Sequence, residues 1–400
     1  MNKLLSNILL LLATVIVCFV FLEIGVRISG VSAIYGYPDG LYENDALLDY
    51  KIVPGISGEL IKPEFKTKFK INSYGMNDYE YSEKTIDDFR ILALGDSFVW
   101  GAYGTELDET FLKQLEVRLN ENSKGKHFQV MKAGVPGYGT DQELLYLKSE
   151  GIKLKPDMVL LHFYPNDFDD NMVSGEREVN SEGQLVVKRK SKQKPLKLFR
   201  NFLFNNLHSY RLTERTAVNI MGPKLGSLVG GDTIYNRDGI SNIYEVNYTE
   251  DTYLKLDRTF TLIKEMHQFT KENNIPFAIV FIPAKFQVYA DLQKDIIMEG
   301  LVTNKVYDDF DKPNKIFLKW SEEEDIMVID LLPGLLAHDE KDDLYWTLNP
   351  HWNKKGNNKG AELIYQDLVK RQALSGLIQI ESGAESKAWD PKNIFTAQSK

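Results

Sequence analysis

The chain has a single cysteine, Cys18, so no intrachain disulfide can form and the fold must stand on packing alone. It also lacks a basic excess. Lys and Arg number 48 against 57 Asp and Glu, a formal net charge of −9 at pH 7. That balance argues against nucleic acid as a main partner, because phosphate-binding surfaces carry clustered cations. His127, His162, His208, His267 and His338 are scattered without ligand spacing, so no metal motif is recognisable and no metal is expected. The sequence holds no internal repeat, no low-complexity tract and only one long apolar run. With 43% hydrophobic and 26% charged residues it has the makings of an ordinary core. Its 400 residues allow two or three domain-sized pieces, or one large domain with additions.

The one apolar run covers residues 4–22, without a charge, after Lys3 and before Glu23 and Arg27. About 20 apolar residues suffice to span a bilayer. Val31-Ser32-Ala33 resembles a signal-cleavage site but lies roughly ten residues past the run, farther than cleaved signals place it. The expectation is therefore an uncleaved signal anchor over residues 1–30, with a cleaved signal as the alternative. Val17 is too bulky for a lipoprotein reading of Cys18. A single-pass N-terminal anchor puts the body outside the cytoplasm, periplasmic or extracellular.

Residues 31–88 are polar, rich in Tyr, Gly and Asp, and read as a juxtamembrane extended segment packed on the main domain. Five short apolar runs follow, at residues 90–94, 128–131, 158–163, 277–282 and 326–330. Helical spacing appears between them: Phe111, Leu112, Leu115 and Leu119; Leu144, Leu145, Leu147 and Ile152; residues 253–271; and 354–374. This alternation predicts an α/β fold with a parallel sheet covered on both faces. Residues 170–250 break the rhythm with a basic stretch (Lys188 to Arg200) and an apolar cluster (Leu196, Phe199, Phe202, Leu203). They read as an insertion within a main domain of residues 89–374. Such an insertion is a candidate lid or membrane-surface helix, though a basic stretch is more often a solvated face. Residues 375–400 form a polar tail.

In such sheets the active site lies beyond the carboxyl ends of the strands. Ser97, Gly137, Asn166, Lys285 and the 349–351 region sit at those ends. A serine hydroxyl needs a base within hydrogen-bond reach and an oxyanion hole. His351 is the candidate base. The Ser97 amide, the Gly137 amide and the Asn166 side chain are candidate oxyanion donors, glycine permitting close backbone approach.

Four blocks in order carry a specific resemblance: Gly95-Asp96-Ser97-Phe98; Ala133-Gly134-Val135-Pro136-Gly137-Tyr138-Gly139-Thr140; Tyr164-Pro165-Asn166-Asp167; and His351-Trp352-Asn353 with Gly356. Together they resemble the blocks of the SGNH/GDSL hydrolase family. The segment from Asn72 to Asp78 is similar to one that precedes the domain in anchored members. The resemblance implies a three-layer, flavodoxin-like α/β fold. It also implies hydrolysis or transfer of acyl groups, often acetyl, without metal or organic cofactor. It implies Ser97 as nucleophile, His351 as base, and Ser97, Gly137 and Asn166 around the oxyanion.

The sequence departs from that pattern where the family has an aspartate two or three residues before the histidine; Asn349 and Leu348 stand there. Asparagine orients an imidazole without giving it charge support, and it can select the wrong tautomer. Asp342 or Asp343 is the alternative carboxylate. The expected function is thus a membrane-anchored serine esterase for acetyl or short acyl esters of an extracytoplasmic glycan or envelope component. The alternatives are an O-acyltransferase using the same site, a weakened member that binds or assembles polysaccharide within an envelope apparatus, and a tethered lipase. Beside these stand plainer readings. Asp96 braces a turn, Trp352 is a packing residue, Lys285 and Gln287 are solvated loop residues, and the Gly134, Gly137 and Gly139 spacing is not a dinucleotide fingerprint.

Overall fold

The computed structural model describes residues 3–29, 37–62, 64–173, 175, 177–180, 183–187, 203, 206–210, 212–213, 216, 241–303, 305–347 and 349–378. The candidate cleavage site at 31–33, the whole basic stretch from Lys188 to Arg200, the apolar cluster of the insertion except Leu203, the tail beyond 378 and Leu348 lie outside the described residues. Two compact units emerge. The first contains helix α1, Lys3–Ser29, among the described residues the one helix long and apolar enough to cross a membrane. Its 27 residues make a rod about 40 Å long at 1.5 Å per residue, more than a hydrocarbon core of about 30 Å. Within this unit Glu23, near the end of α1, accepts hydrogen bonds from the amides of His208 and Ser209 and from Ser209 Oγ, at 2.7–2.9 Å. Arg27 bonds Glu23 and the Asn206 carbonyl.

The second unit is built on five parallel strands: β1 Asp88–Gly95, β2 His127–Gly134, β3 Met158–Phe163, β4 Phe277–Phe281 and β5 Met327–Asp330. Their order across the sheet is β2-β1-β3-β4-β5, the flavodoxin-like order. The apolar runs are continuous because both faces are covered. Successive side chains still alternate. Ile91, Ala93, Val130, Leu160, Ala278, Val280 and Ile329 face one core, with Leu112, Leu115 and Leu119 of α3 (Phe111–Glu121) and Ile364 and Leu368 of the last helix. Leu92, Leu94, Met131, Val159, Leu161, Ile279 and Val328 face the other. There they meet Leu144 and Leu147 of α4 (Thr140–Ser149), Ile263 and Met266 of α5 (Glu250–Glu272) and Phe317 of α6 (Lys312–Glu323). Helix α2 is a single turn, Ser97–Trp100, and the last helix, α7, is Lys354–Lys370. This is the three-layer α/β fold expected from the sequence.

At the switch point β1 and β3 run side by side, with β2 and β4 outside them, so the loops after β1, β2 and β3 converge. Two additions close around those loops. Strands Tyr42–Asp45 and Asp49–Ile52 form an antiparallel hairpin. A second hairpin, Arg177–Val179 with Leu185–Val187, belongs to the insertion. The Asn44 side chain joins them, bonding both the amide and the carbonyl of Val179. Tyr42, Tyr50, Phe69, Trp100 and Tyr138 share a third, largely aromatic core under these additions.

Candidate active site

β1 ends at Gly95, where a Cβ would strike Val99 and the His162 carbonyl, so glycine is needed for the chain to turn this tightly. Asp96 then caps the turn, its Oδ1 accepting from the Phe98 amide at 2.9 Å. Ser97 opens α2 with its side chain only partly covered. From the far end of the domain, the segment between β5 and α7 brings in His351. Three features fix that segment. Trp346 N donates to the His351 carbonyl at 3.1 Å, the Asn353 side chain caps α7, and Trp352 is buried against Gly356 and Gly360, where any side chain would collide with its ring. Trp352 is thus a packing residue.

The Ser97 hydroxyl lies 2.7 Å from His351 Nε2, and His351 Nδ1 lies 2.6 Å from Asn349 Oδ1. The same Asn349 Oδ1 accepts the His351 backbone N–H at 3.1 Å. A backbone amide only donates, so the atom facing the ring is the amide oxygen and not the nitrogen. An oxygen at Nδ1 requires the proton there and leaves Nε2 with its lone pair toward Ser97. The tautomer problem raised by an asparagine at this position is thereby answered. Asp343 instead pairs with Lys355 at 2.6 Å on the surface, and Asn349 is the residue at Nδ1.

Aromatic rings enclose the imidazole. Tyr103 is stacked on it at 3.6 Å between centroids and 3° between planes, and Phe98 lies 4.8 Å away. Tyr103 is itself 4% exposed. Its carbonyl accepts from Trp346 Nε1 at 2.8 Å, and its phenol bonds that of Tyr37. Lys285 caps the Trp346 and Thr347 carbonyls, both at 2.7 Å, and burial pulls its pKa down. Gln287 is not a solvated loop residue. It is 1% exposed and ties Ala284, Phe310, Asn314 and Tyr244 together.

The opposite side of Ser97 has a different chemistry. Gly137 takes φ +83, and a Cβ there would meet the Tyr50 hydroxyl and the Arg177 guanidinium. Tyr50 donates to the Pro136 carbonyl at 3.0 Å, and Tyr138 donates to the Tyr50 carbonyl at 2.5 Å. Arg177, from the insertion hairpin, bonds the Gly137 carbonyl with one nitrogen and Asp170 with the other. Asn166 Nδ2 donates to Asp170 Oδ2 at 2.8 Å and to Asp96 Oδ2 at 3.3 Å. Asp96 Oδ2 is in turn 3.3 Å from Ser97 Oγ. The amides of Ser97 and Gly137 donate to no group among the described residues.

Buried carboxyls crowd this side. Burial, with Asp170 adding to it, pushes Asp96 up to about 7. Burial raises Asp170 as well, against the pull of Arg177. Glu143 and Asp167 are pushed far above the carboxylate range by burial and by neighbouring carboxyl charge. Both oxygens of Glu143 and Oδ1 of Asp167 lack a partner among the described residues, as fits neutral acids. Among the described residues no group of three or more His, Cys, Asp or Glu could hold a metal. A cleft of about 820 Å³ runs from residues 45–54 past 73–84 to the end of α4; it touches Val135 and Tyr138 but neither Ser97 nor His351.

Each residue singled out from the sequence, Ser97, Gly137, Asn166, Asn349 and His351, lies on this one edge of the sheet. Tyr103, Arg177 and Asp170 were not singled out. The glycines that bracket Tyr103, Gly101 at φ +76 and Gly104 at φ +78, are a sequence signal for a tightly placed aromatic; Arg177 carries no such signal.

No family model matches the chain, and no curated protein matches it. Solved structures do resemble it. A lipase/acylhydrolase from Enterococcus faecalis is 13% identical, with 70% of this chain and 95% of that one covered, at a TM-score of 0.37. The acetyl xylan esterase AlAXEase is 13% identical, with 70% and 100% covered, at 0.38. The psychrotrophic esterase EstA from Pseudoalteromonas sp. is 13% identical, with 71% and 98% covered, at 0.35.

Proposed function

We propose that the chain is a membrane-tethered serine esterase of the SGNH type, acting on acetyl or short acyl esters of an extracytoplasmic glycan or envelope component. The observation that carries this reading is the line Ser97 Oγ–His351 Nε2–His351 Nδ1–Asn349 Oδ1, with contacts of 2.7 and 2.6 Å and the tautomer that a general base requires. Ser97 Oγ attacks the ester carbonyl while its proton passes to Nε2. The oxyanion draws on the amides of Ser97 and Gly137, which donate to no group among the described residues, with the Asn166 amide beside them. The imidazolium returns the proton to the leaving alcohol, giving an acyl-serine. Water, or an acceptor hydroxyl in a transferase, then attacks with Nε2 again as base. The apolar α1 supports a single-pass anchor with the body on the extracytoplasmic side, near the envelope polysaccharide machinery that would present such a substrate. The replacement of aspartate by Asn349 favours one other reading, a non-hydrolytic polysaccharide-binding member.

The test is hydrolysis of acetyl, octanoyl and palmitoyl esters by the detergent-solubilised full chain and by Ser97→Ala. The expected result is acetyl preference and a loss of about 10³-fold or more in the variant. Preference for long chains would turn the reading to a lipase. Equal rates in parent and variant would overturn it.

A further inference from the structure

We propose that Tyr103 stands in for the missing carboxylate: its π face, stacked on His351, stabilises the imidazolium that forms as Ser97 attacks. The inference rests on the esterase reading above and deepens it. A base that takes a proton becomes a cation, and Asn349 meets that cation with a neutral oxygen. The Phe98 and Tyr103 rings cover part of the imidazole, so water supplies less of the rest. The geometry of the Tyr103–His351 pair is what a cation prefers. Two neutral rings favour offset or edge contacts with centroids 4.5–7 Å apart, as in the 37° and 4.7 Å of Phe98–Tyr164 or the 82° and 5.4 Å of Phe98–Trp352. Tyr103 and His351 instead lie parallel at 3.6 Å, where the negative face of the phenol ring meets the positive charge most directly.

The stack is built in. Gly101 and Gly104 both have positive φ and turn the chain on either side of Tyr103. A Cβ on Gly104 would collide with the Trp346 ring and with Phe65. The Trp346 indole and the Tyr37 phenol hold the two ends of Tyr103. Among the described residues, titratable and charged groups around the imidazole include Asp96 behind Ser97, Tyr103 itself, Tyr37 beyond it, Tyr164 beyond Phe98, and Lys285 on the loop carbonyls. The rings of Tyr103 and Phe98 are both in contact with the imidazole, the Tyr103 ring parallel to it and the Phe98 ring tilted. Because the attraction exists only once the ring is charged, it lowers the barrier rather than tightening ground-state binding. A π face over a cation is worth about 2-fold at an exposed site and about 30-fold at a desolvated one. Tyr103 is therefore a positioning residue that works through His351.

The experiment places Phe, 4-fluoro-Phe, 3,5-difluoro-Phe and 3,4,5-trifluoro-Phe at position 103 of the full chain by nonsense suppression, with Tyr103→Leu as the end point. Phe and its analogues share a shape, so folding is not at issue within the series. The phenol contact to Tyr37 is removed equally from every member. Two quantities are read: kcat with an acetyl ester, and the pKa of the His351 ring by NMR titration. The expected result is a stepwise fall in both as fluorine depletes the ring. Leu should lie about 10-fold below Phe in kcat and about one pKa unit below it, with KM changed less than about twofold. A flat series, or a Leu variant whose His351 pKa equals that of Phe, would overturn the inference. The NMR titration reads the stack even in a chain that hydrolyses nothing. A falling pKa without activity would defeat the esterase reading alone, and activity with a flat pKa would defeat the role of Tyr103 alone.

Discussion

The two sides of Ser97 handle charge in opposite ways. On the His351 side the imidazole meets an amide oxygen and aromatic faces. On the side of Gly137 and Asn166, three buried carboxyls, Asp96, Glu143 and Asp167, stand with a fourth, Asp170, that pairs with the Arg177 guanidinium. Carboxylates beside the proposed oxyanion site would oppose the proposed reaction, unless they are protonated or neutralised. Burial raises all four, and Arg177 pairs with Asp170. Asp96 and Asp170 thus serve as hydrogen-bonding scaffold for Asn166 and the Phe98 turn, while an amide stands at His351 Nδ1.

Substitution of Asn349 should disturb that contrast most severely. Asn349→Leu removes the oxygen that selects the tautomer, and kcat should fall by about 10²–10⁴-fold with KM little changed. Asn349→Asp restores charge and should raise kcat by about tenfold if the base side is limited by the imidazolium; a fall would mean that the acidic side does not tolerate one more carboxylate. Steady-state kinetics on both variants decides it.

Arg177 comes next. It holds the Gly137 carbonyl and neutralises Asp170, which in turn holds Asn166. Arg177→Met should lower kcat about 10- to 100-fold, and chemical denaturation should show about 2–3 kcal/mol less stability, because the partner carboxyl stays buried. An unchanged kcat would separate the insertion hairpin from the oxyanion loop.

The last prediction is a pH dependence. Asp96 has an ordinary value near 3.8, raised to about 7 in the fold. Between these values the folded chain binds more protons than the unfolded one, so this group's contribution is fully present below about 4 and is lost as pH rises to about 7. Asp96→Asn has no such slope. Thermal midpoints of parent and variant should converge near pH 4 and diverge, with the variant higher, toward pH 8. Parallel curves would show that Asp96 titrates normally.

Much of this architecture is legible in the sequence. The five apolar runs became the five strands because a sheet covered on both faces needs unbroken apolar sequence. Ser97, Gly137 and Asn166 converged because parallel strands deliver their carboxyl ends to one edge. What stayed hidden depends on long-range placement. Tyr103 reaches His351 only through two left-handed glycines and a tryptophan some 240 positions away. Glu143 reads as an ordinary acid in the first turn of a helix, yet α4 packs so that it is wholly buried. Gln287 follows a strand like a loop residue and instead ties three elements together. The polar stretch before β1 offered too short a period to show its hairpin, whose strands run four residues each.

Whether Ser97 is activated by a histidine without a carboxylate behind it is read most directly from the intact mass of the detergent-solubilised chain after treatment with a fluorophosphonate. One adduct on the parent and none on Ser97→Ala is the expected result. A folded parent that takes up no adduct would contradict the activation of Ser97.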